Sequence, residues 1–198
     1  MMDIRQHYDL LIEENNDPAR DPEPLRSYMD KWDGEAFLSL LELSPNKSAL
    51  EIGVGTGRLA LRTAPKLLHV TGIDLSPRTI ERAAENLAHH DNIDLVCGDF
   101  LIHPLTGSFD VIYSSLTLMH MEDKHAFIKK AAQLLAPGGI LVLSLDKSRD
   151  TYIDYGTRKL RIYPDDPENI LAHMESCGLL PQDMVQTEFA WLVKAIRP

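Results

Sequence analysis

Two hydrophobic periods alternate along this chain. Short apolar runs at residues 48–53, 69–74, 93–97, 109–114 and 139–145 have the length and β-branched content of strands. Segments with apolar residues every three or four positions, at 57–68, 77–89, 123–135 and 167–177, predict helices. Boundary signals agree with both sets. Ser76-Pro77 and Asp166-Pro167 each place a capping side chain before a proline at the first helical position, and Asp123 caps the helix that starts at Lys124. Gly178 stands where a helix end favours a left-handed residue, and Pro137-Gly138-Gly139 turns a helix back into a strand. Strands alternating with helices predict an α/β fold, a doubly wound and mainly parallel sheet covered on both faces. Two last strand-like runs, near 183–189 and 190–196 with a short polar stretch around Gln182 to Thr187, predict an antiparallel hairpin at one sheet edge. Ahead of the alternating region, residues 16–24 hold three prolines and predict irregular chain, followed by a helix from Pro24 or Leu25 to Leu41.

Composition narrows the function classes. A length of 198 residues suits one domain with one good core. A formal net charge of −10 argues against a nucleic-acid or anionic-membrane partner held by bulk electrostatics. Much of the excess acid lies in residues 1–35, where ten acids face four bases, and this stretch reads as a solvated, mobile arm. Cys97 and Cys177 are far apart without Cys-x-x-Cys spacing, which excludes common zinc and redox motifs; their apolar surroundings predict inert core thiols. Charged residues interrupt the first fifteen positions, unlike a signal peptide, and no apolar run is long enough to span a bilayer. The expectation is a cytoplasmic protein.

The candidate chemistry is concentrated where strands meet helices. Residues 49–61 read Ala-Leu-Glu-Ile-Gly-Val-Gly-Thr-Gly-Arg-Leu-Ala-Leu, a strand running into Gly53, Gly55 and Gly57 and then a helix. Glycines at such a turn let a ligand approach the main chain, so the corner predicts nucleotide binding. The dinucleotide spacing Gly-x-Gly-x-x-Gly would require glycine at 58, where Arg58 stands. Asp74 ends the next strand, nineteen residues after Gly55 and followed by Leu75; a carboxylate there accepts from both ribose hydroxyls. Dehydrogenases share that feature, and the alternative is a helix-capping acid, although Ser76 already supplies the cap. After the third strand, Asp99 is placed to accept from an adenine amine and Phe100 to wall the base, or the Gly98-Asp99 pair is only a turn.

Taken in order, Gly-x-Gly-x-Gly with Glu51 upstream, Gly72-Ile73-Asp74-Leu75-Ser76, Cys97-Gly98-Asp99-Phe100, the segment Phe109 to Asp123 and Leu134 to Leu143 resemble the class I S-adenosylmethionine-dependent methyltransferases over residues 46–146. The resemblance implies a Rossmann-like, doubly wound seven-stranded sheet of order 3-2-1-4-5-7-6 with strand 7 antiparallel. It implies that the glycine loop lies against the methionine part of S-adenosylmethionine, that Glu51 holds its amino end or orders the loop, and that Asp74, Leu75, Asp99 and Phe100 take the adenosine. Ser114 and Ser115 would reach the methionine end, and His120, on the turn after strand four, would stand near an acceptor. A lone histidine is more often structural, so its acid/base role competes with that reading; Tyr8, Tyr28 and Asp146 are weaker candidates.

Residues 46–198 would thus form the methyltransferase domain, and 1–45 an arm and helix acting as a lid, closed by Tyr8, Tyr28 and Trp32 or simply packed on the sheet. Arg158, Lys159 and Arg161 among tyrosines suit an anionic group on the acceptor, or a solvated strand face. No segment has the size of a target-recognition domain, and Tyr113-Ser114-Ser115-Leu116 differs from the Asn-Pro-Pro-Tyr-like motif of nucleic-acid amino-methyltransferases, so a small-molecule acceptor is expected, with no metal. Two competitors remain at this point. One is a non-catalytic S-adenosylmethionine-binding module of the same fold, the other a NAD-dependent oxidoreductase.

Overall fold

The computed structural model describes residues 2–198. Its seven-stranded sheet is built from β1 (Ser48–Ile52), β2 (His69–Asp74), β3 (Ile93–Cys97), β4 (Phe109–Ser115), β5 (Leu135–Asp146), β8 (Leu180–Gln186) and β9 (Ala190–Ile196) in the order β3-β2-β1-β4-β5-β9-β8. Pairing is parallel from β3 to β5 and antiparallel where β9 meets β5 and β8. Counting only strands of this sheet, that is the expected order 3-2-1-4-5-7-6 with strand 7 antiparallel. A separate hairpin, β6 (Tyr152–Asp154) with β7 (Lys159–Arg161), stands off the sheet after β5.

The period of two sorts side chains between the covered faces. On β5, Leu141 and Leu143 enter one core cluster with Phe127 and Ile128 of α6 (Lys124–Leu134) and Ile170 and Met174 of α7 (Pro167–Ser176). Ile140 and Val142 enter the opposite cluster with Phe37 and Leu38 of α3 (Glu35–Leu40) and with Leu59 and Ala64, which flank α4 (Ala60–Thr63). A third, smaller cluster lies under α5 (Pro77–Asn86), formed by Val54, Ala60, Ala83 and Leu87. The three expected caps are made: Ser76 accepts from Thr79 N–H at 3.0 Å, Asp123 from Ala126 at 2.8 Å and Asp166 from Asn169 at 3.1 Å.

Several expectations change. The helix expected from Pro24 or Leu25 to Leu41 is two helices, α2 (Glu23–Asp33) and α3, broken at Gly34, where a Cβ would lie 2.8 Å from the Asp30 carbonyl. The polar stretch from Gln182 lies inside β8, whose outer edge faces water, and the turn is 187–189. Cys97 is exposed because β3 is the sheet's edge strand, and Cys177 is half-buried, so neither is a core thiol. The acidic arm is not a solvated coil either. Residues Ile4–Glu13 form α1, capped by Asp3 and packed against α5 and β7. Its acids are matched to bases elsewhere: Glu13 with Arg78 (2.9 Å), Glu14 with Arg158 (2.6 Å), Asp17 with Arg82 (3.2 Å) and Asp30 with Arg62 (2.8 Å).

Candidate functional site

The carboxyl ends of β1, β2 and β4 meet at one edge, and the turn after β1 is the centre of the site. Gly53, Gly55 and Gly57 all have positive φ, at 78°, 56° and 94°. The first two glycines are required for different reasons. A Cβ on Gly53 would sit 1.9 Å from Thr117 Oγ1, so the turn is packed on the segment after β4. A Cβ on Gly55 would meet nothing within 4 Å, so that part of the turn faces open space. Gly55 N–H donates to one oxygen of Asp74 at 3.0 Å, and the other accepts from Ser76 N–H at 3.0 Å. Burial pushes the Asp74 carboxyl up against those backbone donors. Half-buried Leu75 follows it.

Glu51 lies under the turn, buried. It accepts from the Tyr113 hydroxyl at 2.9 Å, and that hydroxyl also meets Thr63 Oγ1 at 2.8 Å. Burial raises its pKa to about 8, only partly opposed by the Tyr113 hydrogen bond and the Arg58 charge. Glu51 is therefore a largely protonated group that holds β1 to β4 in the ligand-free protein. Of the two serines ending β4, Ser114 is turned inward and donates to the Ile52 carbonyl at 2.7 Å, while Ser115 donates to Asp33. The strand's alternation sends one to the sheet and one to the edge.

Asp99 anchors its own turn, accepting from Leu101 N–H at 2.8 Å. Phe100 does not wall an open pocket: it is 3% exposed and its ring packs on Phe127 at 5.0 Å between centroids. The correction has a simple cause, since the apolar neighbours under α6 offer a phenyl ring more burial than a surface cradle does.

His120 follows β4 in a short 3-10 turn, Leu118–His120. Its Nε2 lies 2.7 Å from the Tyr8 hydroxyl of α1, and its Nδ1 is buried with no partner among the described residues. Burial, with His7 and Lys124 nearby, lowers its pKa to about 4, so the ring is neutral at pH 7. His7, fully buried, takes the Arg158 Nε–H on Nδ1 at 3.0 Å and leaves Nε2 unpartnered among the described residues. Tyr8 is thus beside the histidine, but Tyr28 and Trp32 are elsewhere, packed with Phe189 beyond the end of β8. Asp146 is not ion-paired with Lys147; it accepts from Trp32 Nε1 at 2.9 Å and Ser148 N–H. The three bases after β5 do not converge: Arg158 is bound to Glu14 and His7, Lys159 to Asp154, and Arg161 lies over Tyr163.

Residues 50–143 match the model of the methyltransferase domain family. The chain is 35% identical over 116 residues to phosphoethanolamine N-methyltransferase 1 of Arabidopsis thaliana, covering 54% of this chain and 23% of that one. It is 36% identical over 115 residues to 27-O-demethylrifamycin SV methyltransferase of Amycolatopsis mediterranei, covering 55% and 42%. The N-methyltransferase NodS of Bradyrhizobium japonicum, solved with S-adenosyl-L-homocysteine, superposes with a TM-score of 0.72 over 98% of both chains at 23% identity. Over residues 50–143 the chain is similar to the class I S-adenosylmethionine-dependent methyltransferases. It spans less than half the length of these two curated relatives.

The residues at this corner fit the S-adenosylmethionine that the resemblance implies: the turn is open where Gly55 lacks a side chain, and a carboxylate at Asp74 closes it. Sequence reasoning missed Thr117, which fixes Gly53, and Thr56 and Asn86, which tie the turn to residues 17–19. It also missed Asp33 and His7, single polar residues in amphipathic helices with no local signal. Sequence reasoning missed the pairing of Tyr113 with Glu51 as well; a tyrosine inside an apolar strand run was the signal that could have raised it. Among the described residues no group of His, Cys, Asp and Glu is arranged to hold a metal, and no helix is long and apolar enough to cross a membrane.

Proposed function

We propose that this chain is an enzyme that transfers the methyl group of S-adenosylmethionine to a small-molecule acceptor. The open backbone at Gly55 above the Asp74 carboxylate carries that reading. When bound, the cofactor supplies an activated methyl on sulfonium sulfur, and the chain's own work is positioning and exclusion of water. Asp74 and Leu75 hold the ribose side and Asp99 the base. The glycine turn, Glu51 and Ser115 hold the methionine end, and Ser114 acts through the β1–β4 tie. Residues 1–45 form the lid over the domain formed by 46–198: α1 brings Tyr8 to His120, and residues 17–19 lie on the glycine turn.

The acceptor lies beside His120, whose neutral ring is fixed by Tyr8 and has Nδ1 free to take or give a hydrogen bond. By their names the two curated relatives act on unlike small molecules, phosphoethanolamine and 27-O-demethylrifamycin SV, which favours a small acceptor here without choosing its reacting atom. Nucleic acid and membrane are not the partners we propose, and the cytoplasm is the compartment we propose. Incubation with S-adenosylmethionine and a panel of amine, hydroxyl, thiol and carboxyl acceptors should release S-adenosylhomocysteine with at least one of them. Tight cofactor binding without release across such a panel would favour a non-catalytic binding module.

A further inference from the structure

Asp33 and Arg58 form a polar pair that nothing in the fold demands. Asp33 ends α2 and is fully buried. One carboxylate oxygen accepts from both Arg58 and Ser115, while Oδ1 has no partner among the described residues. A buried carboxylate oxygen left bare is costly and calls for a ligand. Arg58 is a second, independent sign. Its side chain is only 14% exposed, yet of its five donors only those on Nη2 meet a protein acceptor among the described residues. The pair is fixed to the cofactor edge at two points, because Arg58 follows Gly57 directly and Ser115 ends β4.

We propose that Asp33 and Arg58 together clamp the amino-acid end of the cofactor, Asp33 Oδ1 accepting from its ammonium and the spare Arg58 donors binding its carboxylate. The inference rests on S-adenosylmethionine being the cofactor. The charges match without excess: a neutral ion pair meets a neutral zwitterion, each positive group opposite a negative one. The clamp also makes α2 part of the cofactor site, so this part of the lid is read by the ligand's methionine end.

The test compares two ligands that differ only in that end. S-adenosylhomocysteine has the amino acid; 5′-methylthioadenosine lacks it. Asp33→Asn keeps the shape, and because its amide oxygen must take Arg58 and Ser115, its NH2 occupies the place of Oδ1 and opposes an ammonium. Titration calorimetry should show S-adenosylhomocysteine weakened at least about tenfold and 5′-methylthioadenosine changed by less than about twofold. Arg58→Gln should give the same split, and it serves alone if Asp33→Asn does not fold by thermal melting. Equal losses for both ligands, or no loss for either, would overturn the clamp and leave the pair a packing device. Failure of the unmodified protein to bind either ligand would instead strike at the cofactor reading itself.

Discussion

Replacing Glu51 by Gln should make the ligand-free protein more stable, and only above acid pH. The folded carboxyl holds its proton to about pH 8 because burial opposes the charged form, whereas in the unfolded chain it titrates near 4.5. The folded state therefore binds more protons between those values, and its stability falls as pH rises from 4.5 to 8 and levels off above. At about 1.4 kcal/mol per tenfold, the cost is about 3 kcal/mol at pH 7 and no more than about 5 kcal/mol above pH 8. Glutamine imitates the protonated acid, can still accept from Tyr113, and has nothing to titrate. The variant should match the unmodified protein at pH 4.5 and melt about 6–12 °C higher at pH 7. Thermal melts across pH 4.5 to 9 read this directly. A melting difference that is the same at every pH, or a variant less stable at pH 8, would refute the reasoning. The same residue couples to the ligand. A cofactor carrying positive charge draws Glu51 toward carboxylate, so binding at pH 7 should release a proton from the unmodified protein and none from Glu51→Gln, seen as buffer-dependent heats.

Further outcomes separate structural from ligand-facing residues. Gly53→Ala, which drives a Cβ into Thr117, should cost about 2 kcal/mol or more in urea melts, whereas Gly55→Ala should cost about 1–2 kcal/mol and weaken S-adenosylhomocysteine at least about tenfold. Phe100→Ala should lose about 3–5 kcal/mol of stability with cofactor affinity within about twofold, as befits a core ring; a selective loss of affinity would restore it to the adenine wall. If His120 is the proton acceptor, the acid limb of kcat should lie near pH 4, not 6.5, and should vanish in His120→Ala; an unaltered profile in that variant removes the base role.

The sheet order was legible because five short apolar strands and their helices each carry one clean hydrophobic period, and because the tail ends in two adjacent strand-like runs. The glycine corner was legible for a related reason: Gly53 and Gly55 take positive φ and Asp74 accepts from the Gly55 N–H at strand ends, which spacing reveals. What sequence concealed depends on partners far along the chain. The acids of residues 1–35 look like a solvated excess until α1 and α2 dock and meet Arg58, Arg62, Arg78, Arg82 and Arg158. Phe100 follows a plausible adenine-site acid, but the core under α6 decides where its ring goes. Ser114 and Ser115 are neighbours with opposite fates, and strand alternation alone could have divided them. Cys97 ends an apolar run, yet β3 has no neighbour on its outer side.

Calorimetric titration of the unmodified protein with S-adenosylmethionine and, separately, with NADH tests the cradle at Gly55 and Asp74 most directly. Saturable one-to-one binding of S-adenosylmethionine with no heat from NADH is the expected outcome. Binding of NADH without S-adenosylmethionine would contradict the reading of this site at its foundation.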